Sequence, residues 1–263
     1  MKASVSRAPK LLSHALERGR AFSSTISQAI TTSKNSTSEP PDLSGSVTIP
    51  SHVRSPAFSG GCGDVWLGIW KNLDGKQIDV AVRELRSRDL KYNVLEKFRR
   101  EVERWKNLQH PNIVRLLGAV TQLGPYGLIG MVSPWMQNGN LNDYLPKAQL
   151  SLRERFELLS DVSNALAYLH DQGIIHGNLT GTNILIDGEG VARLIGCGFS
   201  AADAEIEGAA QAGAAMRWRA PELLPTMDAD LYTFVPTFTS ACDIYSFGNV
   251  TLQACTLRKF TVP

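Results

Sequence analysis

The sequence predicts an α+β fold in which a small sheet-rich lobe precedes a helical one, and three observations carry that prediction. Apolar and polar residues alternate around a glycine cluster and a tight turn, in FSGGCGDVWLGIW and IDVAVREL, which is the period of half-buried strands. Further along, Phe156, Leu159, Val162, Leu166 and Leu169 recur at spacings of three and four, the period of a helix with one apolar face. Strand signals come first and helix signals afterwards, so the two kinds of structure segregate. A chain of 263 residues, 43% of them hydrophobic, can bury one two-lobed core with an appendage.

Residues 1 to 42 read as a tail and linker. Through residue 38, Lys2, Arg7, Lys10, Arg18, Arg20 and Lys34 stand against Glu17 alone, a net charge of +5, among abundant Ser and Thr. Such a segment buries too little apolar surface to offset chain entropy and is expected to be disordered. Arg18 and Arg20 ahead of AFSST also fit the Arg-rich, Ser-rich, acid-poor pattern of a mitochondrial transit peptide, the alternative to a plain tail in a cytoplasmic protein. The stretch SEPPDLSGSVTIP, with Pro40, Pro41 and Pro50, reads as the linker into the folded part.

Within the sheet-rich lobe, Asp74-Gly75 in NLDGKQ signals a hairpin between two strands. An amphipathic helix follows, with Leu95, Phe98, Val102 and Trp105 on one face, and it is expected to end near His110-Pro111, where proline cannot continue it. NIVRLLGAV and GLIGMVSPWM predict two further strands. After Asn138-Gly139 the long apolar stripe predicts a buried core helix, GIIHGN, NILID and ARLIG predict short strands, and SACDIYSFGNVTLQAC predicts a last helix. No internal repeat is present.

Beyond residue 38 the net charge is −3, which argues against a nucleic-acid surface, since that needs clustered basic residues. Cys62, Cys197, Cys242 and Cys255 stand far apart with no C-x-x-C pair, so neither zinc ligation nor a disulfide framework is suggested, and a reducing compartment fits. No apolar run approaches the roughly 18 residues of a transmembrane span.

Taken in order from about Leu43, the glycine cluster, VAVREL, FRREVERW, IIHGNLTGTN, Gly196-Cys197-Gly198 and Ala220-Pro221-Glu222 resemble the ordered motifs of the protein kinases, most closely the tyrosine-kinase-like Ser/Thr branch. The resemblance implies a two-lobed kinase-like fold, with N-lobe and hinge over 43–136 and C-lobe over 137–263. It also implies that the C-lobe lacks the family's last helices, leaving apolar faces of the final helix uncovered and Glu222 without its usual arginine.

The same resemblance assigns roles position by position. Gly60 and Gly63 fall on the second and third glycines of the phosphate loop, Phe58 stands in place of the first, Gly61 restores some backbone freedom, and Val65 takes the position that lies against adenine. The bare alternative is a tight hairpin with no ligand. The strand lysine is Arg83 and its helix partner is Glu101; a planar fork suits carboxylate pairing better than it suits a point-charge role on phosphate, so this pair is read as a structural latch. In the hinge, Ser133 is the gatekeeper and Met136 offers its backbone N–H, which leaves adenine docking open.

The catalytic loop keeps His176 and Asn183 but carries Asn178 where the acceptor-orienting aspartate belongs, and an amide cannot take a proton as a carboxylate does. Thr180 replaces the lysine that steadies the transferring phosphate. Gly196 replaces the metal-binding aspartate, and magnesium demands hard oxygen ligands, so no metal site is expected. Ser200 is the one hydroxyl between Gly198 and Ala220, and Gly177 replaces the arginine that would read a phosphate there. Each removed electrostatic group costs about 3 kcal/mol of transition-state stabilisation, so the three absent groups predict a pseudokinase: a scaffold engaging protein partners, with weak ATP binding as its residual ligand chemistry. The alternatives are a residual Ser/Thr or dual-specificity kinase and a non-functional truncated paralogue.

Overall fold

The computed structural model of the chain describes residues 41–60, 63–84, 101–123, 128–196, 216–225, 234 and 236–256. The basic tail, Gly61-Cys62, Leu95 and Phe98 of the expected amphipathic helix, and the segment holding Cys197, Gly198 and Ser200 lie outside the described residues.

Six strands form one antiparallel sheet: β1 (Val47–Thr48), β2 (Phe58–Gly60), β3 (Gly63–Lys71), β4 (Gln77–Glu84), β5 (Gly118–Leu123) and β6 (Leu128–Pro134). Their order is β1-β3-β4-β6-β5, with β2 paired to β3. The β3–β4 turn falls where Asp74-Gly75 predicts it, with Gly75 at φ +77°, and the Asn72 Oδ1 accepts from the Lys76 N–H at 2.8 Å. Strand alternation sends Val80, Val82, Val120 and Val132 into the N-lobe core with Leu43, Val47 and Trp70.

Two readings are corrected at the front of the lobe. From Pro41 onward the linker is part of the sheet. Leu43 N–H donates to the Ala119 carbonyl at 2.8 Å, and Ala119 N–H donates to that of Pro41 at 3.0 Å, while Val47 and Thr48 pair with Trp70 and Ile69. One short segment thus bonds to β5 and to β3, the two ends of the β3-β4-β6-β5 run, and closes the curled sheet on itself. The segment NIVRLLGAV is strand only from Gly118. Residues 112 to 117 instead pass between the lobes, where Leu194 N–H donates to the Asn112 carbonyl and Val114 N–H to that of Leu194. The preceding helix runs through 101–105 and ends at Trp105, whose indole N–H donates to the Val114 carbonyl at 2.5 Å, short of His110-Pro111.

The second lobe holds α1 (Leu141–Tyr144), α2 (Leu152–Asp171), the hairpin of β7 (Ile184–Ile186) and β8 (Ala192–Leu194), two 3-10 turns (Met216–Trp218 and Pro221–Leu223), and α3 (Ser240–Thr256). Helix α2 opens with a reciprocal capping box, Ser151 with Glu154. Its buried face is Leu158, Leu159, Val162, Ala165, Leu166 and Leu169. Phe156, expected in that stripe, is 53% exposed, because the true face is rotated toward Leu158 and Ala165. Arg155 beside it reaches the Ala254 carbonyl at 2.9 Å, placing a cation on the C-terminal end of α3. On α3 itself Ile244, Tyr245 and Leu252 are exposed. GIIHGN is not a strand. Its backbone donors turn instead to a carboxylate of α3, described below.

Candidate active-site cleft

The register of the sheet defines the roof of a cleft. Val65 pairs with Arg83, Leu67 with Ala81, Ala81 with Ser133 and Arg83 with Met131. Partners directly across a sheet share a face, and Val80, Val82 and Val132 occupy the core face, so Val65, Leu67, Ala81, Arg83, Met131 and Ser133 all belong to the other. Gly60 and Gly63 close the β2–β3 hairpin in register at its edge. Met131 joins the large lower core with Val102, Trp105 and Leu179, which orients this face toward the second lobe.

Arg83 and Glu101 meet as the sequence predicts. The Arg83 Nη2 donates to the Glu101 carboxylate and also approaches the Met131 sulfur at 3.8 Å. Both side chains are largely buried, at 17% and 20% exposure. One strand further, the Trp66 indole N–H donates to Glu84 at 2.7 Å, tying β3 to the end of β4.

The hinge follows β6. Trp135 N–H is taken by the Asp79 carbonyl and the Met136 carbonyl accepts from Gly139, whereas among the described residues no acceptor meets the Met136 N–H. Ser133 is buried at the head of this segment. Beneath it runs β7, bonded through Asn138 N–H to the Ile186 carbonyl and through Ile186 N–H to that of Gly139. Ile184 and Ile186 are fully buried in the lower core, so half-buried Leu185 between them takes the opposite face, under the hinge.

The loop over 176–183 is held from below. Both Asp243 carboxylate oxygens accept backbone N–H groups at 2.8 Å, from His176 and from Gly177, and the imidazole of His170 closes on the same carboxylate at 2.8 Å. Gly177 sits at φ +75°, a conformation that side chains at this position would resist. His176 is fully buried, and burial pushes its imidazole below the ordinary value although Asp243 pulls the other way. Its Nδ1 accepts from the Asn178 N–H at 3.2 Å and its Nε2 faces the Ile195 carbonyl at 3.2 Å, so a neutral ring with its proton on Nε2 satisfies both.

At the upper side of the loop, Asn183 Nδ2 donates to the Asn178 carbonyl at 2.7 Å, and the hydroxyls of Thr180 and Thr182 bond to each other at 2.8 Å. Gly196 follows Ile195 at φ +79° with open space about its Cα.

Residues 56–262 match the family model described as protein tyrosine and serine/threonine kinase. The chain belongs to the protein kinase family. It is 32% identical over 206 residues to a probable serine/threonine-protein kinase SIS8 of Arabidopsis thaliana, covering 76% of this chain and 18% of that protein. It is equally 32% identical over 205 residues to ephrin type-A receptor 8 of Rattus norvegicus, with 76% and 52% covered. Serine/threonine-protein kinase CTR1 of Arabidopsis thaliana is 30% identical over 215 residues, with 79% and 24% covered. The chain therefore spans about half or less of the length of these kinases. No helix among the described residues is long and apolar enough to cross a membrane.

Of the residues singled out from the sequence, Val65, Arg83 and Ser133 share one face of the sheet, Arg83 meets Glu101, Met136 follows in the hinge, and Asn178 and Asn183 are bonded to each other in the loop over 176–183. Ala81 and Leu185 belong beside them and were not singled out from the sequence. Alternation from Arg83 and a step of two from Asn183 were the available signals. His170 and Tyr168 are two further anchors that only packing brings forward: Tyr168 stacks on His110 at a centroid distance of 5.0 Å and its hydroxyl accepts from Gln109 N–H at 3.1 Å.

Proposed function

We propose that the chain is a kinase-fold binding or scaffold module, with N-lobe and hinge over 43–136 and C-lobe over 137–263, that engages protein partners without transferring phosphate. One observation carries the reading: the loop that would run the chemistry is held in place by Asp243, yet its reactive positions are Asn178, Thr180 and, across from them, Gly196. An acceptor hydroxyl gains no carboxylate from Asn178. A transferring phosphate gains no charge from Thr180, whose hydroxyl is shared with Thr182.

The donor set does not fit magnesium. Asn183 spends its Nδ2 on the Asn178 carbonyl, leaving one neutral amide oxygen, and Gly196 has no side chain to add a second ligand. Magnesium requires a near-octahedral set of hard oxygens, to which one amide contributes little.

Purified protein incubated with radiolabelled ATP and a panel of protein substrates, with and without magnesium or manganese, is expected to give no incorporation above an Asn183→Ala control. Metal-dependent incorporation that the control abolishes would overturn the reading in favour of a residual Ser/Thr or dual-specificity kinase. The retained Arg83–Glu101 pair is the observation that favours this second reading.

A further inference from the structure

We infer that the outer face of α3 is a self-association surface, on which a second copy of this chain docks its own α3 antiparallel about a two-fold axis at Gly248. Among the 17 residues of α3, Asp243 alone is charged, and it is buried beneath the loop over 176–183. From Ala241 on, the exposed positions are Ala241, Ile244, Tyr245, Gly248, Leu252 and Thr256, one stripe at spacings of three and four with no charge in it. The solvent face of an ordinary surface helix carries charged and polar residues.

Gly248 is a second and independent observation. A glycine inside a helix costs about 1 kcal/mol relative to alanine. No described atom lies within 4 Å of the place its Cβ would take, so nothing in the described fold calls for the missing side chain. At the middle of an exposed apolar stripe, its absence lets the backbone of another helix come close.

The identity of that helix follows from the arrangement about Gly248. Ile244 lies four residues before it and Leu252 four residues after. A two-fold axis through Gly248 therefore lays Ile244 of each copy against Leu252 of the other, with glycine against glycine. The three residues make one ridge of spacing four, the row that interdigitates in the commonest class of helix pair. A charged partner would be stripped of water here with no opposite charge on the stripe to meet it. A second copy brings the same uncharged stripe, self-complementary as a two-fold contact requires. Arg155 donates to the Ala254 carbonyl at 2.9 Å and so holds the start of α2, with exposed Leu152 and Phe156, at the same end of α3. From Ala241 to Thr256 the stripe runs about 24 Å. One helix pair of that length buries less than the roughly 800 Å² per partner of a standard interface, so the dimer is weak and dissociates in the micromolar range.

Sedimentation equilibrium of the full chain across the micromolar range tests this, with a reversible monomer–dimer equilibrium as the expected result. Gly248→Leu should weaken dimerisation at least tenfold by blocking the close approach, and Leu252→Asp should do so by setting a charge in an uncharged contact. Gly248→Leu adds a better helix former at an exposed position, so its melting temperature should not fall, which separates lost association from lost folding. A Gly248→Cys variant should be joined into a dimer by a short bis-maleimide, well beyond the unsubstituted chain with its native cysteines. That crosslink reads α3 against α3 directly, whatever the segments over 226–233 and 257–263, outside the described residues, are doing. A chain that stays monomeric throughout, with its face bare or covered by its own flanking segments, would overturn the inference. A dimer that both Gly248→Leu and Leu252→Asp leave intact would overturn it equally, by placing the contact elsewhere.

Discussion

Asp243 is 1% exposed and accepts from two backbone N–H groups while the imidazole of His170 closes on it. Asp243→Ala would leave the donors of His176, Gly177 and His170 facing an apolar void, and about 3 to 5 kcal/mol of stability should be lost. Chemical denaturation monitored by tryptophan fluorescence measures this. Two histidines set a pH dependence. Burial lowers the imidazoles of both His110 and His176 from 6.5, and each Nδ1 already accepts a backbone N–H, from Asn112 and Asn178. The unfolded chain therefore binds more protons than the folded one below that value, and stability must fall as pH drops through it. Asp161 acts in the opposite sense nearer its own range, because burial raises its carboxyl above 3.8. A melting series from neutral to mildly acid pH should thus show a decline, and His110→Gln should make it shallower.

At the scale of elements, the segment over 41–48 has the largest unexpected role. It lies ahead of the region matched to the kinase family at residues 56–262, yet Leu43 and Val47 are in the N-lobe core. Gly118 permits the contact: a Cβ there would meet the Pro41 carbonyl oxygen at 2.4 Å and the Leu43 side chain at 2.8 Å. Leu43→Ala should cost about 2 to 5 kcal/mol, the range for an emptied core position, and Gly118→Val should destabilise by displacing the segment. Protection of the Ala119 and Lys71 amides from hydrogen exchange would report its release, since both N–H groups are held by it. Helix α2 offers a smaller effect. Ser151→Ala removes half of the capping box and should lower stability by about 1 kcal/mol.

At the scale of the molecule, the proposed non-catalytic reading rests on three positions together. The roles sit at Asn178, Thr180 and Gly196 on two segments, and groups acting as one unit are strongly non-additive. On that proposal Asn178→Asp alone is expected to give no incorporation in the assay, and incorporation should require Asn178→Asp, Thr180→Lys and Gly196→Asp together. The lobes are joined by the hinge and by the backbone bonds of Asn112 and Val114 to Leu194.

The order of motifs along the chain was enough to fix the α+β fold, the hairpin at Asp74-Gly75 and the meeting of Arg83 with Glu101, because period, turn chemistry and charge pairing are local or motif-bound properties. Residues 112 to 117 and GIIHGN misled as strands because β-branched runs look alike whether their backbone donors go to a neighbouring strand, to Leu194 or to Asp243. Phe156 misled because a stripe of period 3.6 has more than one admissible phase, and only the partner surface chooses it. Ala81 and Leu185 entered the cleft through pairing register, which no linear pattern contains. The sequence by itself settled which chemical groups stand at each motif position; the tertiary structure decided which of them face one another, because hydrogen-bond partners and shared faces arise only when distant segments pack.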